Sequence, residues 1–166
     1  MRRFISVLLA VILLTACFSF AAAEQTYTNS FSLDNVTVYV PENWFGLTDS
    51  DTGNLYIYGP NGPTSGYIAV GAIDLTGYIT GYESDAELWS VYQSFAASQG
   101  ITDPGERFTV DGKTAFYCVY GYTGEGYTDQ PAYMFFLIAG KKLYVCSVMF
   151  VSEAEARTIL SGVKIK

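Results

Sequence analysis

Histidine is absent from this chain, and that absence removes whole classes of chemistry. Ser-His-Asp and Cys-His nucleophile systems cannot be assembled, nor can an HExxH metalloprotease site or a His-ligated zinc or copper centre. A histidine pH switch is excluded with them. Basic residues are also scarce, with 9 Lys and Arg against 16 Asp and Glu and a net charge of −7. Setting aside Arg2 and Arg3 leaves 7 basic residues against the same 16 acids, and none of the 7 cluster. Affinity for nucleic acid, or for an anionic membrane surface, rests on clustered Lys and Arg, so neither partner is expected.

The first residues carry an address. Arg2 and Arg3 precede an apolar run over residues 4–20, and Ala21-Ala22-Ala23 follow before Glu24. This is the pattern of a secretory signal peptide, with small residues at the −3 and −1 positions of a cleavage site after Ala23. Leu14-Thr15-Ala16-Cys17 within the same run also reads as a bacterial lipobox, in which a lipidated Cys17 would become the mature N-terminus. The two processing events exclude each other. Phe18-Ser19-Phe20 is a poor start for a polar tether, so release after Ala23 is the expectation and lipid anchoring at Cys17 the alternative. Either way the membrane is met only through the leader or that anchor. Residues 24–166 are then a single α+β domain, secreted or held in the cell envelope, large enough to bury a core without metal or disulfide.

Two cysteines remain in that domain, Cys118 and Cys146. An oxidising compartment would permit a bridge. They fall in two strands read as separated by a third over 132–139. That spacing places their Cα atoms about 9–10 Å apart, beyond bridging reach.

Val36-Thr37-Val38-Tyr39-Val40 alternates strictly and stops at Pro41, as a strand does. A strand over 55–58 follows, with Tyr56 and Tyr58 opposite Leu55 and Ile57, then a turn over 59–63 and a strand over 67–75. Ser84-Asp85-Ala86-Glu87 is a capping box, and Leu88, Val91, Tyr92 and Phe95 fall on one helical face before a stop at Gly100. Asp111-Gly112 is a two-residue hairpin turn between strands over 108–110 and 113–122. A polar loop over 123–131 leads to apolar strands over 132–138 and 143–151, joined at Gly140-Lys141. These strands are apolar at nearly every position, as strands covered on both faces are. A second capping box, Ser152 to Glu155, opens a terminal helix ended by Gly162, and residues 163–166 read as a tail. The expected architecture is an antiparallel sheet of about six or seven strands with a helix on each face, an α/β/α sandwich.

That order resembles the PsbP-like group, which includes the extrinsic photosystem subunit of that name, a Ran-binding eukaryotic relative, and exported bacterial proteins and lipoproteins of unassigned function. The resemblance is carried by Val38-Tyr39-Val40-Pro41-Glu42-Asn43-Trp44, by Asp111-Gly112-Lys113 before Ala115-Phe116-Tyr117, by Lys142-Leu143-Tyr144, and by Ile159-Leu160-Ser161-Gly162-Val163-Lys164. It implies export and a binding role, and it brings no site: where members hold metal through histidine, this chain has none. No cofactor is expected.

Several motifs are decoys. Gly112-Lys113-Thr114 lacks the glycine that a P-loop places five residues earlier, where Arg107 stands. Ser161 and Lys164 have Ser-x-x-Lys spacing, but Gly162 ends the helix between them. Asp49-Ser50-Asp51-Thr52-Gly53-Asn54 begins like a calcium loop, yet its glycine comes one place early and Pro60 takes the slot of the bidentate glutamate. Glu125 and Asp129 form an acid pair of the kind a histidine-independent hydrolase would use, although loop acids usually face solvent.

The distinctive feature is a set of Gly-Tyr pairs at 66–67, 77–78, 81–82, 121–122 and 126–127. Glycine ends strands and tyrosine favours sheets, so part of this is structural. Exposed tyrosines also offer a large amphipathic contact at little rotamer cost. Tyr78, Tyr82, Tyr122 and Tyr127 lie nearest loops and are the candidate ligand-binding residues. The expected function is a non-catalytic exported domain that binds an unknown protein, peptide or glycan through these tyrosines. The alternatives are an acid-pair hydrolase and a purely structural envelope component.

Overall fold

The computed structural model describes residues 26–166, apart from Tyr82, Glu125 and the side chain of Thr128. The leader, its cleavage site, Cys17, Tyr82 and Glu125 therefore lie outside the described residues. Strands β1 (Asn29–Leu33), β2 (Val36–Val40), β3 (Phe45–Thr48), β4 (Leu55–Gly59) and β5 (Gly62–Asp74) precede helix α1 (Asp85–Ser98). Strands β6 (Glu106–Val110), β7 (Lys113–Gly124), β8 (Tyr127–Ala139) and β9 (Lys142–Met149) follow, then helix α2 (Glu153–Ser161) and the short β10 (Lys164–Ile165). The α+β class is as expected.

The strands form two sheets. Seven run antiparallel in the order β3-β4-β5-β9-β8-β7-β6, and three form a separate sheet in the order β1-β2-β10. The expectation of one sheet is corrected here. The valine strand at 36–40 belongs to the small sheet, because Pro41 and a turn closed by the Trp44 amide on the Pro41 carbonyl (3.1 Å) redirect the chain before β3. Residues 163–166 are not a loose tail either: Lys164 pairs with Thr37 and Ile165 with Val36.

Asp111 is what holds that last strand. The φ of 47° at Asp111 and 76° at Gly112 confirm the hairpin turn between β6 and β7. The Asp111 carboxylate reaches out of it to accept from the Ile165 amide (3.0 Å) and from Lys164 Nζ (3.2 Å). A reciprocal tie runs from Lys142, which opens β9, to Asp34 in the β1–β2 turn (2.6 Å).

Alternate residues along the central strands divide between two apolar clusters. Ala115, Tyr117, Phe135, Leu137, Tyr144 and Cys146 group with Val36, Val38 and Val40 of β2 and with Ala156, Ile159 and Leu160 of α2. Phe116, Cys118, Phe136, Ile138 and Leu143 group with Tyr92 and Ala96 of α1. This division explains why β8 is apolar at successive positions. Both helices start where the sequence signals it: Ser84 and Glu87 complete a capping box, and the Ser152 hydroxyl accepts from the Glu155 amide. At its centre α1 is stitched to the sheet by Tyr92, which is fully buried. Its hydroxyl donates to the Thr114 carbonyl and accepts from the Ile138 amide, each at 3.0 Å.

Cys118 and Cys146 are buried free thiols. Cys118 stands opposite Met134 while Cys146 stands opposite Phe135, so one strand separates them and they belong to different clusters. Burial pushes both thiols up, Cys118 to about 12.

An aromatic cleft over the long hairpin

Residues 123–131, expected as a polar loop, lie mostly within β7 and β8. Gln130 pairs with Tyr122, Pro131 with Gly121 and Tyr127 with Gly124, across a register shift between Tyr122 and Gly124. Gly126 with φ 91° and Asp129 with φ 55° let this glycine-rich stretch turn tightly. Polar composition suggested a loop, but the ladder needs only backbone groups. The consequence is that β7 and β8 run on as a long hairpin that carries Tyr122 and Tyr127.

At the same end of the sheet, Phe45, Tyr58, Tyr67, Met149 and Ala132 are successive cross-strand partners on β3, β4, β5, β9 and β8. Directly opposed residues share a face. The rings of Phe45 and Tyr58 stack at 5.3 Å, those of Tyr58 and Tyr67 tilt against each other at 5.5 Å, and Tyr56 stacks on Tyr67 at 6.1 Å. Tyr127 meets Phe150 at 4.9 Å with their planes 56° apart. Together Tyr58, Pro63, Tyr67, Tyr122, Tyr127, Met149 and Phe150 line a cleft of about 500 Å³, within the roughly 300–1,000 Å³ of small-molecule sites.

Two backbone features shape it. Gly66 has φ 132°, and a Cβ there would fall 2.3 Å from the buried Trp44 ring, so only glycine lets β5 pass that indole and present Tyr67. Phe150 has φ 60°, a conformation costly for a bulky side chain. It is held between the end of β9 and the Ser152 cap of α2. Strain of this kind costs on the order of 1–3 kcal/mol and concentrates at functional sites.

Of the four tyrosines nominated from the sequence, Tyr122 and Tyr127 come together in the cleft. Tyr78 does not join them. It is 87% exposed on the turn after β5, beside a separate shallow hollow formed with Leu75, Ile79 and Val91. Tyr58, Tyr67 and Phe150 were not nominated. The alternation of Tyr56 and Tyr58 with Leu55 and Ile57 and the Gly66-Tyr67 pair were signals for two of them; nothing local marks Phe150.

Among the described residues no charged side chain lines the cleft. Several acids elsewhere bind turns, caps or a neighbouring strand. Asp49 accepts from the Asp51 and Thr52 amides at 2.8 and 3.0 Å, so the calcium-like segment is a turn between β3 and β4. The Thr52 and Asp51 amides hold its carboxyl below the ordinary range. Thr76 does the same for Asp74, Ser84 for Glu87, and the Ile165 amide with Lys164 for Asp111. Ser161, the other half of the Ser-x-x-Lys spacing, donates to the Thr158 carbonyl, while Lys164 is on Asp111. Among the described residues no three His, Cys, Asp or Glu side chains are grouped to hold a metal.

No protein-family model matches the sequence, and no curated protein matches it. Solved structures do match. A chain from Bacteroides thetaiotaomicron VPI-5482 has a TM-score of 0.58 at 14% identity, over 85% of this chain and 49% of that one. PsbP (CyanoP) from Synechocystis sp. PCC 6803 has a TM-score of 0.56 at 10% identity, over 83% of this chain and 91% of its own. The chain has a PsbP-like fold. Because it spans about half of the Bacteroides chain, the likeness there is to one part of a longer protein. In both cases the PsbP-like fold is what is shared.

Proposed function

We propose that this chain is an exported, non-catalytic binding domain that takes its ligand in the aromatic cleft. The observation that carries the reading is convergence: rings from β4, β5, the β7–β8 hairpin and the β9–α2 junction meet there, one of them on strained backbone. A merely structural envelope component has no need of such strain in a half-open cleft. We read the two apolar clusters as one helix per sheet face, a sandwich that leaves the β3–β4–β5 end of the α1 face to the aromatic rings. The Arg-flanked apolar leader supports export. No helix among the described residues is long and apolar enough to cross a membrane.

The absence of turnover is part of the proposal. An acid-pair hydrolase needs two converging carboxylates with separated pKa values, whereas the shifted acids named above are lowered by bonds to turns, caps and, for Asp111, β10. Among the described acids Glu155 alone is raised, by burial. A thermal-shift screen of small molecules, oligosaccharides and short peptides tests the reading. A cleft ligand at one hundred times its Kd adds about 2.7 kcal/mol to wild type, a rise of about 10 °C for a domain of this size, and little to Tyr127→Ala. Equal shifts in both proteins, or consumption of the compound by mass spectrometry, refute it.

A further inference from the structure

Resting on that reading of the cleft, we propose that its occupant is a neutral carbohydrate, a short run of uncharged sugar rings. The described lining side chains carry no formal charge in a chain of net charge −7. An anionic ligand would meet an unfavourable field and find no Lys or Arg to pair with. A quaternary ammonium group would be drawn to the ring faces. Yet among the described residues no carboxylate lines the cleft, and its volume of about 500 Å³ far exceeds one such head group.

Beneath Tyr58, Tyr67 and Met149 the strands are paired on both sides, so a peptide could add as a strand only beside that floor, along the edges of the β7–β8 hairpin. What the cleft does offer is aromatic rings in two tilted pairs, Tyr58 with Tyr67 and Tyr127 with Phe150, together with phenol hydroxyls that both donate and accept. A sugar ring presents the complement: an apolar C–H face to stack on a ring and an edge of hydroxyls that both donate and accept. Aromatic side chains give up little rotamer freedom on binding, and Phe150 is already held in place by its backbone.

The protein as processed in its host is titrated calorimetrically with short cello-, malto-, chito-, xylo- and manno-oligosaccharides. Tetramethylammonium chloride and oligogalacturonate are run alongside. At least one neutral series is expected to bind with one-to-one stoichiometry. Its Kd should weaken at least about tenfold in Tyr127→Ala and in Phe150→Gly, stay within about threefold in Tyr127→Phe, which keeps the ring, and be unchanged in Tyr78→Ala. Circular dichroism establishes that each variant is folded. Failure of every neutral series, or binding indifferent to Tyr127 and Phe150, overturns the carbohydrate proposal. If tetramethylammonium or oligogalacturonate binds instead and depends on Tyr127, the cleft reading stands and the carbohydrate class falls. If no ligand of the thermal-shift screen or of these titrations depends on either residue, both fall.

Discussion

Tyr92→Phe removes one oxygen atom from the middle of the fold and should cost far more than its size suggests. The Tyr92 hydroxyl sits between the Thr114 carbonyl and the Ile138 amide, just beyond Ala115–Leu137, the terminal pair of the β7–β8 register at that end. The hydroxyl therefore completes the ladder from the side of α1. Without it a part-buried carbonyl and a buried amide lose their partner. Each orphaned group costs about 1–3 kcal/mol, and partial closure of the strands recovers some of that. A net loss of about 2 kcal/mol is expected, or a fall in Tm of about 6–8 °C. Urea unfolding followed by circular dichroism should show a lower midpoint at unchanged slope.

A second readout of the same variant is its alkaline profile. Burial pushes the Tyr92 hydroxyl up to about 12, against an ordinary value of 10.0. The folded state thus keeps a proton that the unfolded chain gives up. The stabilisation is complete below pH 10 and is lost as pH rises toward 12, at up to about 1.4 kcal/mol per pH unit. Phenylalanine has no such proton, so the gap between wild type and Tyr92→Phe should narrow over that window. A stability change under about 0.5 kcal/mol at pH 7, or a constant gap between pH 10 and 12, would refute the bridging role.

Tyr144→Phe should act in the opposite sense. The Tyr144 hydroxyl is buried without a hydrogen-bond partner, so its removal should leave stability unchanged or raise it by about 1 kcal/mol in the same urea assay; a loss above 1 kcal/mol would reveal a partner. Gly66→Ala should destabilise by about 2–4 kcal/mol, because the new methyl meets Trp44 on backbone that L-residues rarely adopt, and Trp fluorescence should report the displaced indole. Native protein should resist alkylation at pH 8, since Cys118 and Cys146 are buried with raised pKa values; unfolding without reductant should add two labels, and a mass lower by the two hydrogens of a disulfide would refute the strand order between them. Asp111→Ala should speed exchange of the Ile165 amide specifically, because that carboxylate holds β10; unchanged exchange would show that β2 alone retains the strand.

Both helix starts, the Asp111-Gly112 hairpin and the doubly covered β8 were legible because each rests on local chemistry: a side chain that caps its own helix, a turn that needs positive φ, a strand apolar at successive positions. The strands missed were β1, β3 and β10. β1 is polar at alternate places, β3 has four residues and β10 two, so each is made by its partner rather than by its own sequence. The long hairpin was hidden for the same reason, since residues 123–131 look like a loop until Tyr127 pairs with Gly124.

The site shows the same division. By itself the sequence excluded histidine chemistry, placed aromatic side chains on alternate positions of β4 and singled out Gly-Tyr pairs, because composition and period are properties of the chain alone. Which tyrosines meet was decided by tertiary structure. Cross-strand register aligns Phe45, Tyr58, Tyr67 and Met149 from four separate strands, the bulged hairpin delivers Tyr122 and Tyr127, and the junction between β9 and α2 forces Phe150 into a conformation that no local signal requests. Tyr78, equally aromatic and equally preceded by glycine, is left outside, because proximity across a sheet depends on register and a residue's own neighbours in the chain do not encode it.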